Sequence, residues 1–82
     1  MERKTLKIDL VGGTTGFQKI VGLINRNKIK SISIDYNSNQ NTKNENAHMT
    51  ATLEADVAVL NRFVSTMQST SDVKSVTEIS TN

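Results

Sequence analysis

Glycines and threonines form the one segment of this sequence whose composition and spacing suggest ligand binding. Gly12 and Gly13 precede Thr14, Thr15 and Gly16, between an alternating apolar run and a segment with helical periodicity. A loop that opens a helix after a strand leaves backbone N–H groups unpaired, where an anion or another polar ligand can bind. We therefore predict a binding site in this segment, residues 12–16, called the glycine loop below. The loop lacks the Gly-Lys-Ser/Thr ending of a phosphate-binding P-loop, which excludes that kind of site.

Other residues that could carry chemistry are sparse. The chain has no cysteine and a single histidine, His48. This composition excludes a disulfide framework and a thiolate metal site, and one chain cannot form a multi-histidine metal site. Carboxylate pairs can perform acid–base catalysis, but Asp9, Asp35 and Glu54 fall on outward strand positions among mixed charges. No nucleophile has a base arranged beside it. We predict a protein that is not an enzyme, has no cofactor and no metal, and keeps His48 as a solvated strand residue.

The length and charge of the chain limit the class of protein. With 82 residues it is expected to be a single domain over residues 1–82, and so small a core is often supported by self-association. A net charge of +2 is too small to indicate a nucleic-acid partner. No apolar run approaches the ~18 residues that cross a membrane, and residues 1–4 are not followed by the apolar core of a signal peptide. We expect a cytoplasmic chain without a membrane segment, as a homodimer or attached to a larger protein.

Apolar periodicity predicts six elements in the order βαββαβ. The expected strands span 5–11, 29–36, 47–53 and 73–79, and the expected helices span 16–26 and 56–69. Residues 1–4 are expected to be an N-terminal tail. Residues 37–46 have no apolar side chain and are rich in turn formers, which predicts a flexible hairpin loop. Val73 and Val76 differ in parity, so the last strand needs a bulge or a late start.

The predicted elements need only two layers, because each helix has one apolar stripe and each strand one apolar face. Right-handed crossovers then give an α+β ferredoxin-like sandwich, a four-stranded antiparallel sheet with two helices on one face. The other face of the sheet, the open face, is expected to be polar. Its predicted residues are Lys7, Asp9, Ser31, Ser33, Asp35, His48, Thr50 and Thr52.

Three short motifs occur in a recognisable order. Gly16 and Phe17 end the glycine loop, Asn27 to Ile34 lead into the second strand, and Asp72 to Val76 open the last strand with a Val-x-small-Val run. In this order and spacing, the chain from about Leu6 to Ile79 resembles the ACT domain family of small regulatory modules.

The resemblance implies a dimer that binds an amino acid or another small effector between the glycine loop of one subunit and the second strand of its partner. The ligand-binding residues that it implies are Gly12, Gly13, Thr14, Thr15, Gly16, Phe17, Ser31 and Ile32. Many amino-acid-binding members have Asp or Asn in this loop, whereas this chain has no carboxylate between Val11 and Gly16. The open face and the edge of the first helix are the expected dimer contacts, with Tyr36 and Ile29 contributing.

Two alternatives share this architecture. The cytoplasmic C-terminal domain of MgtC/SapB-type membrane proteins, which are associated with Mg²⁺ transport, is similarly ACT-like and would act by protein–protein contact. Arg3 and Lys4 would suit a position just after a membrane span in such a protein. RNA-binding modules of the same element order stack bases on aromatic residues of the first and third strands. Those strands contain no aromatic residue here, so no nucleic-acid partner is predicted.

Overall fold

The computed structural model describes residues 1–11, 14–38 and 46–79 as one βαββαβ unit. Its elements are β1 (Glu2–Val11), α1 (Thr14–Arg26), β2 (Lys30–Ser38), β3 (Asn46–Ala55), α2 (Val57–Gln68) and β4 (Val73–Ile79). The strands form one sheet in the order β2-β3-β1-β4, and every neighbouring pair is antiparallel. The predicted ferredoxin-like fold is confirmed.

A single apolar cluster joins the sheet to both helices. Ile20 and Ile24 of α1 and Leu60, Phe63 and Met67 of α2 are buried against the same side of the sheet. Because one cluster contains both helix stripes, the two helices lie on one sheet face and leave the other open. The sheet contributes Leu6, Ile8, Leu10, Ala47, Met49, Ala51, Leu53, Ala55 and Val73 to this core.

β1 is longer than its own alternation indicates. It begins at Glu2, three residues before the expected start, because β3 continues to Ala55 and supplies partners for the residues expected to be a tail. Arg3 lies opposite Glu54, and the guanidinium Nη2 is 3.3 Å from Glu54 Oε2. β2 reaches Ser38 and β3 starts at Asn46. Both strands therefore extend into the segment expected to be a loop, of which residues 39–45 lie outside the described part of the chain.

β4 contains the bulge that its valine spacing requires. Asp9 lies opposite Ser75 but Leu10 lies opposite Val73, so Lys74 is skipped in the pairing. The extra residue restores Val73 to the core side, where it is buried. Of the two predicted explanations for the parity of β4, the bulge is the correct one.

β2 contains a second register shift that its sequence does not signal. Ser31 lies opposite Leu53 and Ser33 opposite Thr52, so Ile32 is skipped and remains 40% exposed. The expectation that Ser31 joins the open face is therefore wrong, because Ser31 lies opposite the buried Leu53. Ile29, expected at a dimer contact, is buried in the core instead.

Candidate functional site

The first helix begins earlier than expected. α1 begins at Thr14, so both threonines belong to its first turn, where they are exposed. Gly12 and Gly13, also predicted to bind a ligand, lie outside the described residues. The first turn of α1 has no acidic side chain. The positive end of the helix dipole, with its free N–H groups, is therefore not neutralised by a carboxylate of that turn.

Gly16 is closely packed. A Cβ atom at this buried position would lie 3.3 Å from the Val11 carbonyl oxygen and 3.5 Å from Asp72 Cβ. The Val11 backbone is also held in place by a hydrogen bond, because the Val11 N–H donates to the Asp72 carbonyl oxygen at 2.8 Å. Gly16 thus lets α1 start directly against the end of β1 and the turn before β4, and it fixes the position of the exposed threonines beside it.

An ion pair that the sequence did not indicate links α1 to the same turn. Lys19 Nζ contacts Asp72 Oδ2. Asp72 therefore meets three parts of the site: the Val11 N–H through its carbonyl oxygen, the Gly16 position through Cβ, and Lys19 through its carboxylate. Residues so far apart in sequence are brought together only by the β1–β4 pairing.

An aromatic pair packs between the start of α1 and the end of β2. The Phe17 and Tyr36 ring centroids are 4.5 Å apart, at an interplanar angle of 43°. Both residues are partly buried and pack against the core. The Tyr36 hydroxyl is buried and has no hydrogen-bond partner among the described residues. The pair ties the start of α1 to the end of β2, so Phe17 has a structural role at the predicted site.

The other two predicted site residues lie at the opposite end of the sheet. Ser31 and Ile32 are level with Leu53 and Thr52 of β3, which pair with Lys4 and Thr5 of β1. Thr5 and Val11 are six residue steps apart along the strand, a distance of about 20 Å at 3.3 Å per residue. One chain therefore does not bring Ser31 and Ile32 to the glycine loop.

The open face holds a polar cluster that spans three strands. Asp9 Oδ1 lies 2.7 Å from His48 Nδ1, and Ser75 Oγ donates to Asp9 Oδ2 at 2.9 Å. These hydrogen bonds, first that of His48 and then that of Ser75, lower the pKa of the Asp9 carboxyl below its ordinary value. Ser75 was not predicted on this face, because the valine parity of β4 left its side ambiguous.

The geometry of this cluster does not activate a nucleophile. His48 and Ser75 both contact Asp9 and not each other, so the imidazole is not hydrogen-bonded to the serine hydroxyl whose proton it would have to take. Among residues 1–11, 14–38 and 46–79, no group of three or more His, Asp or Glu side chains is placed to hold a metal ion. Neither helix of the described chain has the length and apolar character needed to cross a bilayer.

Comparison with known proteins gives the class of fold. No family model and no curated protein matches the chain. Among solved structures, the C-terminal domain of the MgtC protein from Mycobacterium tuberculosis superposes with a TM-score of 0.68 at 20% identity, over 94% of this chain and 84% of that domain. The acetolactate synthase small subunit from Thermotoga maritima superposes at 0.77 with 14% identity, over 98% of this chain and 48% of that subunit.

A third solved structure also superposes on this chain. The crystal structure of the ACT domain from the GTP pyrophosphokinase of Chlorobium tepidum has a TM-score of 0.71 at 12% identity, covering 94% of this chain and 96% of that domain. The described chain therefore has an ACT-like βαββαβ fold, as the order of its motifs indicated. At these identities the likeness concerns the fold, and function has to be argued from the site.

Proposed function

We propose that this chain is a small non-catalytic regulatory module that dimerises and binds a small effector, such as an amino acid, where the glycine loop of one subunit meets β2 of its partner. The observation that carries the proposal is the placement of the two predicted halves of the site. Thr14 to Phe17 and Ser31 to Ile32 lie at opposite ends of one sheet, so a site that contains both groups needs a second subunit.

The sheet supports such a pairing through its edge. β2 is an edge strand, and the outer side of an edge strand presents unpaired N–H and C=O groups. Two copies related by a two-fold axis would pair their β2 edges antiparallel. The start of β2 in one subunit would then approach the end of β2 in the other, where Phe17 and Tyr36 mark the loop end. Ile32 is exposed on this edge. It would contribute apolar area to the dimer contact, a role that was expected of Ile29.

The first turn of α1 favours an anionic group on the effector, because the nearby Asp72 carboxylate is paired with Lys19. The first turn supplies free N–H groups and the exposed Thr14 and Thr15 hydroxyls without a carboxylate. The carboxylate of an amino acid suits this end. Its ammonium group would need partners elsewhere, because the loop sequence contains no acidic residue.

The mechanism would be thermodynamic linkage. An effector that contacts both subunits binds the dimer more tightly than the monomer and so stabilises the pairing. Effector binding would then shift any segment attached to the two subunits from one arrangement toward another. The module itself would catalyse no reaction.

The proposal is tested by thermal melting with a panel of the twenty amino acids, nucleotides and divalent cations, beside sedimentation velocity. We expect one small anion to raise the melting temperature and to increase the dimer fraction. Thr15→Asp should abolish that shift, since its carboxylate would repel the anion at the helix start. Asn25→Asp is the matched control, with the same charge change on an exposed position near the other end of α1. Loss of the shift in both variants, or a responding ligand that leaves the sedimentation mass unchanged, would contradict the proposal.

A second candidate is a C-terminal cytoplasmic domain of an MgtC/SapB-type membrane protein that acts through protein contacts. The observation that favours it is the superposition on the MgtC C-terminal domain, which covers most of both chains. The absence of an acidic residue from the glycine loop sequence points the same way. A dimer that responds to none of the panel would support this candidate. Upstream apolar segments in the complete gene would also support it, whereas a neighbouring catalytic domain would favour effector control.

A further inference from the structure

A groove runs between α1 and α2 on the side of the helices that faces away from the sheet. Its volume is about 550 Å³. It shares only Thr15 with the proposed effector site and otherwise lies along the helical layer. The groove is lined by Thr15, Gln18, Lys19, Gly22, Leu23 and Arg26 of α1 and by Thr66 and Thr70 of α2.

Gly22 forms an open part of this groove. In a helix interior, glycine is less favourable than alanine by about 1 kcal/mol. Close packing inside the chain does not account for it, because a Cβ atom at Gly22 would meet nothing within 4 Å. This contrasts with Gly16, where the neighbouring backbone leaves little room. At Gly22 the missing side chain leaves space into which an external backbone or side chain can pack.

The charges that line the groove have one sign. Lys19 and Arg26 are its two ionisable residues, and no carboxylate lines it. Lys19 is paired with Asp72 at one end, whereas Arg26 forms no ion pair within residues 1–11, 14–38 and 46–79. α1 and α2 together carry Lys19, Arg26 and Arg62 and no acidic residue. The two helices thus carry three cations within a chain whose net charge is only +2, and the acidic residues beside them are Asp56 at the N-cap of α2 and Asp72, which is paired with Lys19.

We propose that this groove docks an acidic helical segment of a partner protein. Lys19 and Arg26 are seven residues apart on one face of α1, about 10.5 Å along its axis at 1.5 Å per residue. A helix lying along the groove presents carboxylates at the same separation when they are seven residues apart. A small side chain between them would pack over Gly22 and against the partly buried Leu23.

The residues of the two helices and the groove argue against two other anionic partners, a lipid bilayer and a nucleic acid. A bilayer contact needs apolar side chains that project outward, but Val57 is the one large apolar residue exposed on α1 or α2 in the described chain. Binding of single-stranded nucleic acid uses aromatic platforms, and no aromatic residue lines the groove. A concave, basic groove with a glycine between its two cations fits an inserted acidic helix better than either surface.

The test uses a labelled synthetic helix about four turns long, with glutamates seven residues apart and alanines between them, titrated by fluorescence anisotropy at low salt. The control peptide has the same composition in scrambled order. We expect saturable binding of the ordered peptide and at least about tenfold weaker binding of the scrambled one. Equal binding of the two peptides, or no binding of the ordered peptide, overturns the proposal.

Single-residue variants test whether the peptide binds in the groove. Arg26→Gln should weaken binding about threefold, on the scale of one exposed ion pair, whereas Lys74→Gln, which removes an exposed cation on β4, should leave it unchanged. Gly22→Leu should weaken binding about tenfold by filling the groove while keeping a good helix former. Asn25→Leu, an exposed α1 position outside the groove, is its matched control. Equal losses in a variant and its control would overturn the proposal. The test is independent of effector binding, since it requires neither a ligand nor a dimer.

Discussion

Gly16 and Gly22 lie on the same helix and have opposite tolerance for a side chain. Gly16→Ala places a methyl group 3.3 Å from a backbone oxygen whose residue is held by the Val11–Asp72 hydrogen bond. We expect a loss of about 1–2 kcal/mol in the free energy of unfolding, the cost of overpacking. Gly22→Ala meets open space, so it should gain about 0.5–1 kcal/mol. Urea denaturation of both variants against the wild type measures the two values, and a stabilising Gly16→Ala would show that the β1–α1 connection is looser than described.

The Asp9 cluster predicts a change in stability in acid. Because the fold lowers the pKa of the Asp9 carboxyl below its ordinary value of 3.8, the ionised form is favoured in the native state. This contribution is present above the ordinary pKa and is lost as the pH falls through the lower native value. Asp9→Asn should therefore melt below the wild type near neutral pH, and the difference should shrink as the pH falls below the ordinary value and Asp9 itself becomes protonated.

Melting temperatures from pH 2 to 8, followed by circular dichroism, test this expectation. Asp35→Asn is the matched control, because Asp35 is also an exposed carboxylate of the sheet but forms no hydrogen bond with another described residue. A pH-independent difference between Asp9→Asn and wild type would mean that the hydrogen bonds do not depend on the charge of Asp9.

At the scale of elements, the bulge in β4 predicts which deletion the sheet tolerates. Lys74 is skipped in the pairing, so its deletion leaves Val73 inward, Ser75 outward and Val76 inward without a register change. We expect the shortened chain to unfold cooperatively at a melting temperature close to that of wild type. Deletion of Thr50 from the central strand β3 is the control, because it moves the following core residues to the open face. A Lys74 deletion as damaging as the Thr50 deletion would argue against the bulge.

Local periodicity was sufficient to predict all six elements and the layer arrangement. It could not predict the early start of β1, because Glu2 to Lys4 become strand only through their partners at the end of β3. The shift at Ile32 was missed for the same reason, since a bulge depends on two strands and not on one. Within the candidate site, the sequence predicted a helix that starts close after β1, and α1 begins at Thr14. It could not reveal that Gly16 packs on Asp72 or that Ser75 binds Asp9, because pairing of β1 with β4 creates both contacts.

At the scale of the whole molecule, the exposed edge of β2 allows a test of the proposed dimer. Ile32 is 40% exposed on β2, and Val57 is 44% exposed at the start of α2. Ile32→Lys should shift the chain toward monomer by placing a charge on the proposed dimer edge. Val57→Lys, the same kind of change at a similarly exposed position, should not. Sedimentation velocity over a range of concentrations distinguishes them, and equal dissociation by both variants would place the contact elsewhere.

The sheet order also constrains the time at which the fold can form. β1 is the first strand along the chain, yet it lies inside the sheet between β3 and β4. Its neighbours β3 and β4 come later along the chain than α1 and β2, and β4 is the last of the described elements. Pairings between distant segments slow folding, because the loops between them must close before contacts compensate for the lost entropy. During synthesis, the apolar side of β1 therefore stays exposed until β3 and β4 have been made. In this interval the nascent chain is most prone to incorrect strand pairing.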